Sequence, residues 1–370
     1  MSLTVCKFGG SSLADASMFV RVDRILKSDA ARRYIVVSAP GARYLGDEKI
    51  TDLLYRAHEA NRSGNHSILA QIFARYAAIR DALAPNFDLE GEFARLDDEL
   101  CLSLDHAASR GEYLCAKLFA AYTNLPFVDA AELFFFSADG TIDMEATARA
   151  VRSRLLPLER AVVPGFYGMA KGCGVRTFTR GGSDVSGALL AAALNADLYE
   201  NWTDVDGLFT ADPSLVSHPE RNLLVSLDQM ESIAAAGAKL LHPEALRPLR
   251  GTGIDTLLKN TFSPDAPGTR VSETCDIPVR CVTGQPSIYV SGDPGSGSKM
   301  SLCELPLQNS VRAALVCAYG LTDARIRRIV HEIKPIHIIH MQDHVQIIIP
   351  EREYENTIRF VHAVLMEESN

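Results

Sequence analysis

The chain has 370 residues, of which 47% are hydrophobic and 22% charged, and its net charge at pH 7 is −9. This length suits one large and one small domain, and the composition leaves no long segment of the low hydrophobicity typical of disorder. An acidic chain without a basic block argues against nucleic acid or an anionic membrane as a main partner. The absence of an 18-residue apolar run argues against a transmembrane helix.

The eight cysteines form no C-x-x-C pair, and most of them stand among apolar residues. Reduced, buried thiols of this kind are typical of a cytosolic enzyme, so we expect neither disulfides nor a zinc site. The N-terminal residues lead directly into a strand pattern, without a charged segment followed by an apolar one. We therefore expect a cytoplasmic protein.

Strand and helix patterns alternate up to about residue 270. The pattern predicts a strand over residues 3–8, a helix over 14–27 and a strand over 34–38, followed by mostly helical structure over 52–122. The later predicted elements are a strand at 161–163, a helix at 188–195, a strand at 198–202 and a helix at 227–236. This alternation predicts an α/β fold with a largely parallel sheet.

A segment rich in proline and glycine, residues 263–270, predicts a domain boundary. We therefore assign residues 1–270 to a first domain and residues 271–370 to a second. Beyond the boundary we expect short strands at 279–282 and 287–290, a loop at 292–298, and then a strand (313–318), a helix (323–333), a hairpin (336–340 with 345–349) and a helix (354–366). The last five elements form a small βαββα unit.

The first motif with a chemical meaning is KFGGSS, from Lys7 to Ser12, at the junction of the opening strand and a helix. Two glycines allow the backbone to approach an anion, the helix N-terminus offers free N–H groups, and Lys7 adds a positive charge. No Walker A loop is present, because the segment from Gly41 to Gly46 has its spacing but is followed by acidic residues. Taken alone, the motif is equally compatible with an ordinary strand-to-helix turn.

The second motif is TRGGSD, from Thr179 to Asp184, again two glycines before a helix. Ser183 and Asp184 are compatible with a simple helix N-cap. Arg180 favours a binding site instead, because a second glycine turn beside a cation suits a place where a phosphate and a carboxylate meet. The third motif, NWTDVDGLFTADP from Asn201 to Pro213, is by composition only a turn with Asx caps.

In this order and spacing, the three motifs resemble the signature segments of the aspartokinases, members of the amino-acid kinase superfamily. The resemblance also includes the segment RGE ending at Glu112 and GAKLLHP ending at Pro243, and it covers residues 5–270. Acetylglutamate, glutamate and uridylate kinases share glycine-rich loops but not this combination. The resemblance implies an amino-acid kinase fold, an open and mostly parallel sheet between helices, followed by a small α+β ACT-like domain.

The implied activity is transfer of the γ-phosphoryl group of ATP to the β-carboxylate of L-aspartate, with Mg²⁺ as cofactor. This reaction gives 4-phospho-L-aspartate in the first step of the aspartate-derived amino-acid pathway, which includes lysine biosynthesis. The implied catalytic pair is Lys7 and Asp184. The residues implied to bind aspartate are Ser38, Thr51, Glu112, Phe166, Arg180 and Ser183. Those implied to bind the nucleotide are Lys7, Gly9, Gly10, Ser11, Thr203, Asp204, Phe209 and Lys239.

These roles are chemically consistent. Aspartate carries one ammonium and two carboxylates, and Glu112 and Arg180 supply one charge of each matching sign. The attacking carboxylate has a reference pKa near 4 and needs no general base, so Asp184 is assigned to orienting Lys7 or a metal-bound group. Lys7, Lys239, backbone N–H groups and Mg²⁺ then offset the repulsion between two anions. We expect no metal site made by protein side chains alone.

Three features depart from the family pattern. Ser214 follows Asp212-Pro213 where aspartokinases commonly have an arginine that reaches the ATP phosphates, and Phe209 stands where tyrosine is frequent. Aspartokinases also carry two ACT units, whereas only about a hundred residues remain here after the boundary. Our hypothesis is a homodimer formed through a shortened ACT-like region, with weakened or absent feedback inhibition. The alternatives left open are a related kinase acting on another carboxylate and a non-catalytic amino-acid sensor.

Overall fold

The computed structural model describes residues 2–61, 66–178, 181–238, 240–291, 301–303 and 311–367. The chain divides into two compact units, the first made of Met1–Asp206 with Glu244–Glu273, and the second of Gly207–Pro243 with Thr274–Asn370. The predicted loop at 292–298 lies outside the described residues. No helix in these ranges combines the length and apolar character needed to cross a bilayer.

The described helices and strands follow one another as the alternating pattern predicts. The helices are α1 (Ala16–Lys27), α2 (Ile50–Asn61), α3 (Ser67–Leu83), α4 (Leu89–Glu99), α5 (Leu104–Thr123), α6 (Met144–Leu155), α7 (Gly182–Leu194), α8 (Leu227–Ala235), α9 (Asp323–Ile333) and α10 (Tyr354–Met366). The strands are β1 (Thr4–Phe8), β2 (Arg32–Val37), β3 (Phe135–Phe136), β4 (Ala161–Pro164), β5 (Tyr167–Ala170), β6 (Gly174–Thr177), β7 (Leu198–Thr203), β8 (Leu224–Ser226), β9 (Asp255–Asn260), β10 (Thr269–Ser272), β11 (Cys281–Ser291), β12 (Ser301–Cys303), β13 (Val311–Tyr319), β14 (His337–His340) and β15 (His344–Ile349).

Several helices begin at a side chain that caps them. Asp15, Ser103 and Asp143 each accept a hydrogen bond from a backbone N–H in the first turn of α1, α5 and α6. Ser226 and Gln229 form a reciprocal capping box at the start of α8. Because each cap satisfies an N–H group that the helix leaves unpaired, it contributes about 1 kcal/mol to stability and fixes the starting residue.

Six strands of the first unit form one sheet in the order β4-β2-β1-β7-β9-β10. The first five are parallel to one another, and β10 pairs with β9 in the antiparallel sense. The chain runs from β1 outward to β2 and β4, and later returns to place β7 on the other side of β1. The strand order therefore reverses between β1 and β7, which is where open parallel sheets bind their ligands, outside the carboxyl ends of the strands.

The core of the first unit is apolar and covers β1 on both faces, so all five residues of that strand are buried. Phe8 stacks on Trp202 with ring centroids 5.8 Å apart, and Phe19 meets Phe119 edge to face at 5.2 Å. Each such ring contributes about 2 kcal/mol through its removal from water. In an interior of this kind a buried lysine, such as Lys7 at 7% exposure, needs a specific partner.

The second unit contains a five-stranded antiparallel sheet in the order β12-β11-β13-β15-β14. The βαββα order of β13, α9, β14, β15 and α10 confirms the prediction for this region. The two short strands predicted at 279–282 and 287–290 are instead one long strand, β11, whose register shifts between Gln285 and Ile288. Pro286 explains both observations, because a residue without an N–H group interrupts the ladder without ending the strand.

Candidate active site

Several of the residues predicted to bind substrate and nucleotide follow the carboxyl ends of neighbouring parallel strands. Gly9 comes directly after β1, Ser38 after β2, Phe166 shortly after β4 and Asp204 after β7. Since these strands are parallel and adjacent, the residues that follow them share one edge of the sheet. The fold thus brings together positions that lie far apart in the sequence.

Lys7 and Asp184 form an ion pair at this edge, with Lys7 Nζ 2.5 Å from Asp184 Oδ1. The side chains are 9% and 15% exposed, so little water competes with the pair. Asp184 lies in the first turn of α7, which begins at Gly182, earlier than the predicted residue 188. The N-cap is Gly181, with φ of 77° and no side-chain cap, so the interpretation of Ser183 or Asp184 as a simple N-cap is wrong.

The glycines after β1 allow two loops to approach each other closely. A Cβ on Gly10 would lie 2.9 Å from the Ala39 carbonyl oxygen, and the Gly41 N–H donates to the Gly10 carbonyl at 2.8 Å. The Gly9 N–H donates to the Trp202 carbonyl at 3.0 Å and is therefore occupied. The amides of Gly10 and Ser11 open the short 3₁₀ turn Gly10–Leu13, where backbone N–H groups point away from the helix and suit an anion.

Glu112 is a buried carboxyl group on α5, with 5% of the residue exposed. Burial raises its pKa from 4.5 to about 8, while a backbone hydrogen bond from Ala39 and the charge of Lys7 act in the opposite direction. Its Oε2 atom has no hydrogen-bond partner among the described residues. A buried acceptor of this kind is costly unless a ligand donor completes it.

The loop after β2 is held in place by residues that the sequence analysis missed. A Cβ on Gly111 would lie 2.8 Å from the Ala39 Cβ, so this glycine lets the loop rest on α5 beside Glu112. The buried Arg75 on α3 donates to the carbonyls of Gly41 at 2.5 Å and Glu48 at 2.6 Å. Arg75 lies in a helix without a recognisable motif, so only the tertiary structure reveals this role.

Phe166 and Ser183 lie where the segment after β4 meets the start of α7. Phe166 has φ of 78°, a conformation that costs a bulky residue on the order of 1–3 kcal/mol. Two hydrogen bonds hold it there: its N–H donates to Ser186 Oγ at 2.9 Å, and its carbonyl accepts from the Phe178 N–H at 2.8 Å. A Cβ on Gly165 would lie 2.8 Å from Ser183 Oγ, which shows how closely the two segments pack.

Four of the predicted residues in the first unit follow β2 or stand at the end of β7. Ser38 donates its N–H to the Phe8 carbonyl at 3.1 Å, and Thr51 stands in the first turn of α2. Thr203 is the last residue of β7, and its hydroxyl donates to Asp204 Oδ1 at 3.1 Å. The exposed Asp204 therefore carries a carboxylate directly after the strand that borders the switch point.

The remaining predicted residues either belong to the second unit or lie outside the described residues. Phe209 belongs to the second unit, where Arg221 covers its ring at 5.2 Å. In the same unit, the Ser214 N–H and hydroxyl both donate to Asp212 Oδ1, at 2.8 and 2.7 Å. Arg180 and Lys239 lie outside the described residues, so their predicted roles stay predictions.

The sequence analysis also missed Asn201, whose side-chain amide donates to Asp184 Oδ1 at 2.9 Å. Asn201 lies on β7 directly beside Lys7 of β1. An amide in the middle of a buried strand was the available signal, because strand interiors on both faces of a parallel sheet are otherwise apolar.

Comparison with known proteins agrees with this geometry. Residues 2–260 match the model of the amino acid kinase family. Aspartokinase 3 of Bacillus subtilis is 36% identical over 317 residues, which cover 78% of this chain and 69% of the relative. The chloroplastic aspartokinase 3 of Arabidopsis thaliana is 30% identical over 303 residues, covering 74% of this chain and 53% of the relative. The chain thus spans about half the length of the plant protein.

Solved structures share the fold of this chain. The aspartate kinase of Clostridium acetobutylicum superimposes with a TM-score of 0.84 and 29% identity, covering 99% of this chain and 100% of that chain. Aspartokinase III of Escherichia coli, in complex with aspartate and ADP, has the same fold, with a TM-score of 0.82, 22% identity, and coverage of 99% and 100%. The chain therefore belongs to the amino acid kinase family and, within it, to the aspartokinases, the kinases that phosphorylate aspartate.

Proposed function

We propose that this chain transfers the γ-phosphoryl group of ATP to the β-carboxylate of L-aspartate in the site at the carboxyl edge of its parallel sheet. The observation that carries the proposal is the ion pair between the buried Lys7 and the largely buried Asp184, beside the point where the strand order reverses. The complex of the Escherichia coli enzyme with aspartate and ADP supports the choice of acceptor and nucleotide.

The chemical obstacle in this reaction is charge repulsion. The β-carboxylate of aspartate is ionised at neutral pH and attacks phosphorus without a general base. Lys7 would stabilise the charge that spreads over the phosphoryl oxygens in the transition state. An ammonium has three N–H donors, so Lys7 can bind Asp184 with one and keep two for the phosphoryl group. Asp184 is then the residue that orients Lys7.

The aspartate ammonium would lie against Glu112. Its donors can satisfy the Oε2 atom that has no partner among the described residues, and its charge favours the ionised carboxylate. Ser38, Thr51, Phe166 and Ser183 would line the rest of this pocket. The sequence assigns a substrate carboxylate to Arg180, which suits the bidentate geometry of a guanidinium.

The nucleotide would contact Gly10, Ser11, Thr203 and Asp204 in the first unit, and the roles of Gly9, Phe209 and Lys239 stay predictions from the motifs. Mg²⁺ would accompany ATP. The described residues contain no group of three His, Cys, Asp or Glu side chains that could hold a metal. Mg²⁺ is commonly held by substrate phosphates and one or two carboxylates, and Asp204 would supply such a carboxylate beside the nucleotide.

We further propose a catalytic domain of residues 1–270 and a shortened ACT-like domain of residues 271–370 that mediates homodimerisation. The five-stranded antiparallel sheet and the helices α9 and α10, all of which follow residue 270, support the ACT-like part of this proposal. A cytoplasmic location is proposed on the basis of buried thiols at Cys6, Cys115, Cys281 and Cys317, which suit a reducing compartment. Light scattering after size exclusion would test the dimer, and a monomer at micromolar concentration would contradict it.

The activity itself can be tested by trapping the acyl phosphate product with hydroxylamine. The protein is incubated with MgATP and L-aspartate, with glutamate and acetylglutamate as matched controls. Hydroxamate formed with aspartate alone supports the proposal. Equal product with another acceptor indicates a related carboxylate kinase. A folded protein that forms no product with any acceptor would overturn the proposal in favour of an amino-acid sensor.

A further inference from the structure

The Asp184 carboxylate binds more than Lys7. Its Oδ1 atom accepts from Lys7 Nζ at 2.5 Å and from Asn201 Nδ2 at 2.9 Å. We propose that Asn201 is a positioning residue that holds the Asp184 carboxylate against Lys7 during phosphoryl transfer. This inference rests on the proposed function, to which it adds a residue that none of the sequence motifs singled out for catalysis.

Strand register places Asn201 for this role. Lys7 and Asn201 are direct neighbours in the parallel pair formed by β1 and β7, so their side chains leave the sheet on the same face. Helix α7, which carries Asp184, contacts both strands. The three side chains therefore come from three different elements, and Asp184 is held from two adjacent strands at once.

Tyr199 lies two residues before Asn201 on the same face of β7 and also contacts Asp184. Its hydroxyl donates to the Asp184 backbone carbonyl at 3.1 Å and lies 3.5 Å from Asn201 Nδ2. A Cβ on Gly187 would lie 2.6 Å from the Tyr199 hydroxyl oxygen, so the glycine in α7 makes room for the phenol. The first turns of α7 are thus tied to β7 through both the side chain and the backbone of Asp184.

The burial of Asn201 indicates that its side-chain amide has a role other than packing. Asn201 is only 1% exposed, and burying an amide costs free energy that an aliphatic side chain would not. The bond to Asp184 is charge-assisted and therefore stronger than one between neutral groups. With two donors on Oδ1 the carboxylate cannot turn away from Lys7 without breaking both bonds, so the ammonium keeps its direction when the phosphoryl group arrives.

The first test compares Asn201→Leu, which keeps the approximate volume and removes the donor, with Thr256→Val. Thr256 is a matched control because its buried hydroxyl lies on β9 opposite Tyr199 and has no partner among the described residues. We expect the leucine variant to lower kcat about tenfold, as for loss of a hydrogen bond to a charged group, with both KM values within about twofold. The control should match the wild type. A leucine variant with unchanged kcat would overturn the proposal.

Asn201→Asp provides a second test that a purely structural role would not pass. Its hydrogen-bonding and ionic neighbours are Lys7 from β1, Asp184 from α7 and Tyr199 from its own strand. At low pH a proton shared by the two carboxyl groups restores a donor to Asp184, whereas at high pH the two carboxylates repel each other. The ratio of variant to wild-type kcat should rise as the pH falls from 8.5 to 6. A constant ratio would contradict the inference.

Crystal structures of the wild type and of Asn201→Leu decide the inference independently of the substrate. We expect the Asp184 carboxylate of the variant to rotate and the Lys7 Nζ–Oδ1 distance to lengthen, and an unchanged ion pair would overturn the inference. If the wild type phosphorylates no aspartate, the proposed function fails while this geometric result still stands. If the leucine variant does not fold, the pH profile of Asn201→Asp decides.

Discussion

One carboxylate lies at each face of β7, Asp184 of α7 at one face and Glu200 of β7 itself at the other. The two differ in how completely their charges are paired. On one face, Asp184 of α7 pairs with Lys7 through a single oxygen. On the other, Glu200 of β7 pairs with Arg32 through both oxygens, at 2.8 and 3.1 Å. The same two strands, β1 and β7, border both clusters.

In the Glu200 cluster, both carboxylate oxygens accept hydrogen bonds. Glu200 Oε2 also accepts from Trp202 Nε1 at 2.9 Å and from Cys6 Sγ at 3.3 Å. Burial together with Glu200 keeps the pKa of the Cys6 thiol well above its usual value. Arg32 in turn donates to the Ile25 carbonyl at 2.6 Å, which ties the end of α1 to the sheet. A cluster whose groups are all bonded holds the fold together, whereas a cluster with spare donors and acceptors can bind a ligand.

The largest effect is expected from Lys7→Ala, which removes the Lys7–Asp184 ion pair that we assign to catalysis. Loss of the positive charge should lower kcat roughly 10³-fold, as for removal of a group that stabilises transition-state charge. The hydroxamate assay measures this. Lys27→Ala is the matched control, because that lysine forms a surface pair with Asp23 and is 69% exposed. Comparable activity of the two variants would contradict the assignment of Lys7.

Glu200→Gln removes the Arg32–Glu200 ion pair, to which we assign a structural role. The variant leaves the half-buried Arg32 guanidinium without its carboxylate, so we expect the free energy of unfolding to fall by about 3 kcal/mol, with kcat of the folded protein within about twofold. Urea denaturation measures the stability. Glu220→Gln removes a surface pair with Arg280 and should cost less than about 1 kcal/mol. A stable but inactive Glu200→Gln variant would assign that face to catalysis instead.

Glu112 resembles the Lys7–Asp184 cluster and differs from the Glu200 cluster, because one of its carboxylate oxygens has no hydrogen-bond partner among the described residues. With a pKa raised to about 8, it is protonated at pH 7 in the free protein, and the aspartate ammonium favours its ionised form. Aspartate binding should therefore release a proton below pH 8, and the Kd should weaken up to about tenfold per pH unit as the pH falls from 8 to 6.

Calorimetric titration in two buffers of different ionisation enthalpy measures both quantities. Glu112→Gln should bind about tenfold more weakly than the wild type at pH 8, because it lacks the charge, and should release no proton. The same pH dependence in the wild type and the variant would exclude Glu112 as its source.

The smallest effect is expected at Ser214, where the motif departs from the family pattern. Ser214→Arg should lower the KM for ATP about two- to fivefold, as for one added phosphate contact on an exposed loop, and leave kcat unchanged. Initial-rate kinetics at saturating aspartate measure the change. Ser214→Ala, which removes only the hydroxyl bond to Asp212, is the control. An unchanged KM in the arginine variant would show that this position does not reach the phosphates.

From the sequence, candidate site residues can be proposed only where a motif marks them. Lys7, Ser183 and Asp184 are such candidates, because glycine-rich turns beside charges are visible locally, and the structure pairs Lys7 with Asp184. Asn201 begins the third motif but has no role assigned by it, and Tyr199 and Arg75 lie outside the motifs, each a single polar residue in an ordinary strand or helix. Their roles depend on the order of the strands in the sheet and on the face of the sheet from which each side chain projects.

The sequence alone indicates the alternation of strands and helices, the family, and the types of residue proposed to take part in the reaction. It can do so because periodicity, turn residues and motifs are properties of neighbouring residues. Only the tertiary structure shows that Lys7 pairs with Asp184 and that Asn201 donates to the same oxygen. It also shows that Glu112 is buried, with one carboxylate oxygen that no described residue contacts by a hydrogen bond. These facts follow from strand order and burial, which arise only when distant segments pack together and exclude water.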